Sequence, residues 1–569
     1  MGLCITCCKE RPSCNRSTCA RCSETAVRRS QRRRLELRER AKSQQIIERI
    51  EQAGDAAAEH HLYKDAAQYY KNALNMPVLL DDNRARIAEK LTRTLFLDGN
   101  PDDATPWLEL CLSYYSRDSQ RANETAEMLL QKSRHMWYDC RTKETLPIIE
   151  QAIRIADVAK NQRVFKHANL QMAHHLQMLG RHSEAQRFLD AIGTVTSDDD
   201  PSVRLSYHCV RGSAAAMRAE ESVVYENFAD AFEATKDTDP RILASAWSNY
   251  GSAAIILGNL KLGKICYERG LLVARQNQIF LAIPHLCLAY AEVLVLMGEQ
   301  RVAYPYLLDA LSYEMSNPRL DDLLAIIGIP LTLYMNDSSV LAKCVRPSTI
   351  SRAFQSCEPG HAAGIAAAFA QLYIRQGKQA KARALLHRAL EVSRYADGSY
   401  ELLMEIALHG EASDLQRARK LLEARLAIPC NGVARAALSL FDAFVARRHG
   451  NSHEVRKHAV NAIEQFEKTS WYAYAARART LAGTAGEKGV DADRSILIDQ
   501  ELHRYSQPFA DMHSLLTRRE REVAELALHG HTNRVIAEKL SIKERTVESH
   551  MTSIMSHLGI RSRHQLASL

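Results

Sequence analysis

The chain has no long hydrophobic run. The longest one, Leu323 to Met335, is interrupted by Pro330 and is shorter than the roughly 20 apolar residues that cross a bilayer. The first residues carry cysteine and charge where a secretory leader would have an apolar segment. We therefore expect neither a membrane span nor export, and we expect a cytoplasmic protein.

Signals for β-strands and for enzymes are also scarce. Alternating apolar and polar runs are nearly absent, which favours an all-α fold. No His-Glu-x-x-His motif and no Ser/His/Asp grouping stands out. The stretch from Gly258 to Lys264 nearly spells a phosphate-binding P-loop, but Ile265 occupies the position of the magnesium-binding Ser or Thr. We expect no nucleotide site and no enzymatic activity.

Length and charge divide the chain. A chain of 569 residues is too long for one core and predicts several units or a repeat array. Its net charge of +8 is uneven: residues 1–49 hold 13 Lys and Arg against 5 Glu, and residues 515–569 hold 9 against 6. The middle is therefore slightly acidic. Basic ends on an acidic body indicate that the ends meet nucleic acid.

Six of the 14 cysteines fall within the first 22 residues. Two Cys-x-x-Cys pairs are separated by eleven residues, a spacing that can hold one structural Zn in a tetrahedral thiolate site. The predicted ligands are Cys4, Cys7, Cys19 and Cys22, with Cys8 and Cys14 as possible replacements. The alternative is a disordered tail with incidental or redox-active thiols. The other eight cysteines are scattered, as expected of buried free thiols.

An arginine-rich stretch follows the cysteines. Arg28-Arg29 and Arg32-Arg33-Arg34 lie in a segment rich in Arg and Glu that is predicted to begin a helix. Two interpretations stay open: a solvated charged helix, or an auxiliary contact to the DNA backbone. We assign residues 1–43 to this Cys-rich basic segment.

Residues 44–505 repeat weakly. Small residues recur around a large one, most clearly where Gly251 and Gly263 accompany Tyr250 and Tyr267. This spacing resembles the tetratricopeptide repeat, which implies antiparallel helix pairs of about 34 residues stacked as an α-solenoid. Such a solenoid is expected to bind a protein, a peptide or a small inducer.

The C-terminal segment, residues 513–569 after a linker at 506–512, is predicted to form four short helices. Thr517 and Glu520 form a capping box, and Thr532 caps a second helix. A third helix is closed by Gly559, and Ser562 opens a fourth.

The third helix has two unlike faces. At 100° per residue, one face is apolar and predicted to be buried: it carries Val547, Met551, Ile554 and Leu558. The opposite face carries Arg545, Ser549, Thr552, Ser553 and Ser556. Small hydrogen-bonding side chains with one long cation suit a helix in the DNA major groove.

Dense motifs place this segment in a known class. They are Thr517-Arg-Arg-Glu-Arg-Glu-Val523, Gly530-His-Thr-Asn533, Ile536-Ala537, Leu540-Ser-Ile542, Arg545-Thr-Val-Glu548, His550, Leu558-Gly559 and Ser562-Arg563. The segment closely resembles the LuxR/GerE-type helix-turn-helix domain. The resemblance implies base contacts from Glu548, Ser549 and Thr552. The remaining predicted DNA-binding residues are Thr532, Asn533, Lys543, Arg545, Thr546, Val547, His550 and Ser553. One departure is Lys543, which stands where the family usually has a capping Ser.

Together these features predict a sequence-specific transcriptional regulator. Its C-terminal domain binds double-stranded DNA as a homodimer on two half-sites, and its repeats sense or dock a partner. The alternative is a tetratricopeptide-like interaction scaffold that uses the helix-turn-helix for docking.

Overall fold

The computed structural model describes residues 20–60, 62–76, 81–99, 101–234, 240–313, 317–356, 358–393, 399–426, 432–483, 517–528, 532–540 and 542–557. Within these ranges the chain is helical and contains no β-strand, so the predicted all-α fold is confirmed. Among the described helices, none combines the length and the apolar character that crossing a bilayer requires.

The first part of the chain forms α1 Ala20–Glu59, α2 Tyr63–Leu74, α3 Asp81–Leu97, α4 Pro101–Tyr115, a 3-10 helix Ser119–Arg121, α5 Ala122–Tyr138, α6 Thr142–Val158, α7 Gln162–Met178, α8 His182–Ile192, α9 Pro201–Met217 and α10 Glu221–Glu233. The middle forms α11 Pro240–Ile256, α12 Leu260–Gln276, α13 Ile283–Leu296, α14 Gln300–Leu311, α15 Pro318–Leu323, α16 Ile329–Met335, α17 Ser338–Cys344 and α18 Thr349–Gln355. The last part forms α19 Pro359–Arg375, α20 Gln379–Val392, α21 Tyr400–His409, α22 Ala412–Leu426, α23 Gly432–Arg448, α24 Ser452–Lys468, α25 Tyr472–Gly483, α26 Arg518–Leu528, α27 Asn533–Leu540 and α28 Glu544–His557.

Asparagine caps start several of these helices. The side-chain oxygens of Asn161, Asn259 and Asn451 each accept the backbone N–H three residues later, at 3.1, 3.1 and 3.3 Å. Each satisfies one of the amide groups that a helix N-terminus leaves without an intrahelical partner. The same asparagine cap thus begins a new helix after each of these three short turns.

Glycine opposite an aromatic ring sets the spacing within helix pairs. An aromatic ring sixteen residues further along contacts the glycine at positions 54 and 70, 212 and 228, and 251 and 267. A Cβ on Gly54, Gly212 or Gly251 would lie 2.7–2.8 Å from that ring, so no larger residue fits without a shift. Small residues therefore let the two helices approach, as the repeat pattern predicts. In the sequence, the repeat pattern includes Gly54 with Tyr70 as well as Gly251 with Tyr267, and it does not include Gly212 with Phe228.

Polar contacts between successive helix pairs have the predicted repeat length. Lys264 pairs with Glu299 at 3.1 Å, 35 residues away. The amide of Gln371 donates to Glu405 at 3.0 Å, 34 residues away. The tetratricopeptide-like architecture is therefore confirmed. The Lys264 contact also places the ammonium of the P-loop-like stretch on a neighbouring carboxylate.

The chain divides into two compact units, Met1–Met128 and Leu129–Leu569. In the first unit, Tyr70 donates to Asp55 at 2.7 Å, and Lys90 contacts both Asp55 and the buried Glu51. Helix α1 runs through residue 43 without a break. The boundaries predicted at residues 43, 505 and 512 stay predictions.

In the second unit, the helix pairs are interrupted between residues 317 and 356. Short helices α15–α18 replace the regular pairs, and Leu324–Gly328 forms a π-turn. A Cβ on Gly328 would lie 2.6 Å from the Cys344 sulfur, so the chain passes very close there. This irregular segment carries Arg319 and Asp322 into the interior.

We define the Arg319 cluster as Trp137, Thr142, Arg319, Asp322 and Glu358. The Arg319 guanidinium donates to both carboxylate oxygens of Glu358, at 2.6 and 3.0 Å, and to the Trp137 carbonyl at 3.0 Å. It also lies 4.0 Å above the Trp137 ring. Arg319 and Glu358 are 2% and 1% exposed, so the charges are buried and paired. Burial alone would raise the pKa of Glu358, but Arg319 holds it at about 2.

Asp322 completes this cluster from the other side. Its carboxylate accepts from Arg352 at 2.6 Å and from the Cys140 thiol at 3.2 Å. The imidazole of His361 lies 3.8 Å from both Asp322 and Glu358. The cluster thus joins chain segments that are up to 216 residues apart.

The histidine pairs His60-His61 and His174-His175 lie in helical stretches of the repeats, for which the sequence alone favours surface positions, and at His175 this expectation is wrong. His60 is exposed, as expected. His175 is 3% exposed, and its Nδ1 lies 2.6 Å from the Thr145 hydroxyl. Burial lowers the pKa of His174 to about 4 and that of His175 well below its usual value. Local helical spacing does not reveal that distant helices cover this position.

A second long-range contact lies near the end of the described repeats. The Trp471 indole N–H donates to the Gly258 carbonyl at 3.2 Å, across 213 residues. Gly258 has φ +81°, and a Cβ there would lie 2.7 Å from a Val433 methyl group. Only glycine accommodates both the backbone conformation and this close approach.

Candidate nucleic-acid interface

Helices α26, α27 and α28 enclose a small apolar core. Its buried members are Val523, Ala524, Ala527, Ile536, Ala537, Val547, Met551 and Ile554. The apolar face predicted for the third helix is therefore buried at all three of its described positions. Leu558 and the predicted fourth helix lie outside the described residues.

A reciprocal capping box starts α26. The Glu520 N–H donates to the Thr517 hydroxyl oxygen at 3.3 Å, and the Thr517 N–H donates to the Glu520 carboxylate at 2.8 Å. This confirms the cap predicted from the Thr-x-x-Glu spacing. Arg519 then donates to the Leu540 carbonyl at 2.8 Å, which ties α26 to the C-terminus of α27.

Thr532 caps the start of α27, because its hydroxyl accepts the Val535 N–H at 3.4 Å. At the other end of α27, one described backbone hydrogen bond spans the turn to α28: the Ile542 N–H donates to the Ala537 carbonyl at 3.0 Å. Two helices joined by a short fixed turn are the arrangement that presents the second helix to DNA.

Lys543 occupies the N-cap position of α28. Its carbonyl accepts the Thr546 N–H at 2.8 Å, but an ammonium group cannot accept the hydrogen bond that a Ser side chain would take there. The Lys543 side chain is exposed. It is therefore available to an external anion at the cost of a weaker helix start.

The outward surface of α28 is polar and exposed. We define the reading face as Arg545, Glu548, Ser549 and Thr552, all four of which are exposed. Of the other predicted contact residues, Thr532 and Thr546 are also exposed, whereas Asn533, His550 and Ser553 are half-buried at the edge of the surface.

Val547 differs from the rest of the predicted DNA-binding set. It is fully buried in the core of the three helices, so its side chain cannot reach a base. Its role is to hold α28 in place. This agrees with the apolar face inferred from its helical position.

Hydrogen bonding on the reading face is sparse. The Thr552 hydroxyl donates to the Glu548 carbonyl at 2.9 Å, within the helix. Among the described residues, neither Arg545 nor Glu548 has an ion-pair partner. The longer polar groups of this face are therefore not used by the fold.

The predicted zinc ligands Cys4, Cys7 and Cys19 lie outside the described residues. The backbone places Cys22 in the first turn of α1. The zinc site stays a prediction. Six scattered cysteines are described, and all are buried free thiols as expected: Cys111, Cys140, Cys209, Cys266, Cys287 and Cys344.

Comparison with solved structures finds matches that span most of the chain. The crystal structure of the APC/C hetero-tetramer Cut9-Hcn1 is 12% identical, with a TM-score of 0.39, over 92% of this chain and 96% of that one. The apo form of the quorum sensor NprR from B. thuringiensis is 15% identical, with a TM-score of 0.33, over 64% of this chain and 99% of that one. With TM-scores this low, neither likeness bears on function.

Comparison of sequences is informative at the C-terminus. The oxygen regulatory protein NreC of Staphylococcus aureus strain bovine RF122 / ET3-1 is 40% identical over 68 residues, and that of strain JH9 is 43% identical over the same length. Each match covers 12% of this chain and 30% of the relative. The family described as bacterial regulatory proteins, luxR family, matches residues 514–569. The C-terminal segment, with its three described helices and its exposed α28, is therefore a helix-turn-helix domain of the luxR family type.

Proposed function

We propose that the whole chain is a sequence-specific DNA-binding transcriptional regulator in which α28 lies in the major groove. The observation that carries this proposal is the exposed reading face above a buried core. Arg545, Ser549 and Thr552 supply the small and cationic hydrogen-bonding groups that match base edges and phosphates. Thr532, Thr546 and Lys543 flank this surface and supply contacts to the DNA backbone.

We further propose that the protein binds as a homodimer on two half-sites. One short helix contacts few base pairs, and each matched pair contributes only about 1–3 kcal/mol. Two half-sites are needed to distinguish an operator from the competing non-specific DNA. The regulator role requires no catalytic step, and we propose that the chain is not an enzyme.

The helical repeats are the proposed partner-binding region. They form most of the described chain, and they bring together polar groups from distant segments. A protein, peptide or small inducer bound there would regulate the DNA-binding domain by favouring one conformation of the chain.

The salt dependence of DNA binding tests the main proposal. Full-length protein is first used to select high-affinity duplexes from a random pool. Binding to a selected duplex should weaken steeply as salt rises, because phosphate contacts release counterions. Arg545→Ala should weaken binding about ten-fold, and the salt slope should fall by about one if Arg545 contacts a phosphate.

Arg154→Ala is the matched control, because Arg154 is an exposed helical arginine in the repeats. It should leave duplex affinity unchanged. If the chain is instead a scaffold, wild-type protein will bind duplex weakly and Arg545→Ala will have no effect.

A further inference from the structure

Two neighbouring positions of the reading face offer hydrogen-bond acceptors and no donors. Glu548 and Thr552 are four residues apart on α28, so their side chains are neighbours on one side of the helix. Both are exposed. The hydrogen bonds that each side chain can form with a base depend on whether it offers a proton or only lone pairs.

Thr552 has one hydroxyl proton, and the helix uses it. The hydroxyl donates to the Glu548 carbonyl at 2.9 Å. With this bond in place, the oxygen offers only lone pairs to an external group, next to the side-chain methyl. Ser549 differs, since no described residue receives a hydrogen bond from its hydroxyl.

Glu548 is also an acceptor. An ionised carboxylate has no proton to donate. Within the part of the chain that the structure describes, no Lys or Arg pairs with it, so the fold does not neutralise it. Arg545, three residues earlier on the same helix, does not pair with Glu548 either.

Two adjacent acceptors restrict the bases that they can face. In the major groove, amino groups are offered by adenine N6 and cytosine N4, whereas guanine O6 and N7 and thymine O4 are acceptors. An acceptor facing an acceptor is repulsive and leaves both groups without a partner. Rejection of the wrong base therefore contributes to specificity as much as attraction to the right one.

We propose, on the basis of the proposed DNA-binding function, that Glu548 and Thr552 select base pairs by their exposed amino groups. Glu548 selects cytosine, whose N4 amino group donates to its carboxylate. Thr552 selects cytosine or adenine through its lone pairs. The operator half-site therefore carries amino-bearing bases at the two positions that these residues reach.

The test is in vitro selection of duplexes by full-length wild type, followed by competition binding at fixed salt. Glu548→Gln adds a donor to the acceptor and should match adenine N6 and N7. The preference at one half-site position should change from cytosine to adenine, with a relative affinity change of about ten-fold. Thr552→Val keeps the shape but removes the lone pairs, so discrimination at a second position should disappear. Thr552→Ser should retain it.

Glu226→Gln is the matched control, because Glu226 is exposed on α10 and lies outside the helix-turn-helix segment. It removes the same charge and should leave every base preference unchanged. The assignment is overturned if wild type selects guanine or thymine at both positions, or if Glu548→Gln binds with unaltered preference. A wild-type protein that selects no sequence at all would instead refute the proposed function.

Discussion

The Arg319 cluster and the reading face use the same residue types in opposite ways. Each contains an arginine, a glutamate and a threonine. In the cluster, Arg319 and Glu358 are almost fully buried and neutralise each other. On the reading face, Arg545 and Glu548 are exposed, three residues apart on one helix, and unpaired among the described residues.

The difference shows that partners, rather than residue type, determine what a polar side chain does. A buried pair has already lost its water, so removing one member leaves a charge that nothing compensates. An exposed side chain without a protein partner contributes little to the fold. It is therefore available for an external ligand. Substitutions and changes of pH test this contrast, from the largest expected effect to the smallest.

Arg319→Met should cause the largest loss of stability. It leaves Glu358 buried without its cation, which should lower the free energy of unfolding by about 3–5 kcal/mol. Urea unfolding followed by circular dichroism measures the change. Arg154→Met is the matched control: the Arg154–Glu150 pair is exposed, and its loss should cost at most about 1 kcal/mol.

Replacing both members of the buried pair separates charge from packing. Arg319→Met combined with Glu358→Leu should recover much of the lost stability, because no isolated charge remains. If the double variant is as unstable as the sum of its single changes, the contacts of Arg319 with Trp137 and Thr142 carry the stability instead.

Acid should destabilise the second unit in two steps. Burial lowers the pKa of His174 and His285 from 6.5 to about 4. The unfolded chain therefore binds more protons than the folded chain between these values, so stability falls as pH drops from 6.5 to 4. The pKa of Glu358 is lowered from 4.5 to about 2, which adds a second loss between pH 4.5 and 2.

Urea midpoints measured across this pH range test both steps. His285→Phe should flatten the upper step, since the ring is no longer titratable. His387 supplies a control of opposite sign: its hydrogen bond to Asp414 raises its pKa. Its contribution is present at low pH and lost as pH rises through the raised value. A midpoint that is constant from pH 6.5 to 4 would contradict the assignment for His174 and His285.

Lys543→Ser should have the smallest effect on stability. A serine at this N-cap can accept an amide of the first turn of α28, which should stabilise the helix by about 1 kcal/mol. The same change removes a cation next to the reading face. Duplex affinity should therefore fall while the helix becomes more stable, and a rise in both would show that Lys543 contacts no phosphate.

The features that could be predicted from the sequence are those that depend on residues close together in the chain. The Thr517–Glu520 cap, the buried side of α28 and the 34-residue repeat all follow from spacings within one or two helices. The Arg319 cluster was missed because its members come from segments 39 to 216 residues apart. The surface assignment of His175 failed for the same reason.

The weakness of the repeat limited the prediction in another way. Phe228 occupies the place that Tyr70 and Tyr267 occupy in their helix pairs, but the repeat pattern, which accepts any aromatic or large residue there, did not single it out. The sixteen-residue offset from a glycine would have found all three pairs. Spacing is therefore a better signal than the aromatic residue itself.

The hydrogen bond between Trp471 and Gly258 links two parts of the repeats that are far apart in the sequence. Trp471 directly precedes α25, after which the chain continues towards the DNA-binding segment. If the α11–α12 turn moves, the Gly258 carbonyl moves with it, and Trp471 at the start of α25 must follow or lose its hydrogen bond. Along the chain, the thirteen described helices α12 to α24 lie between these two points, so this bond links the start of α25 directly to the middle of the repeats.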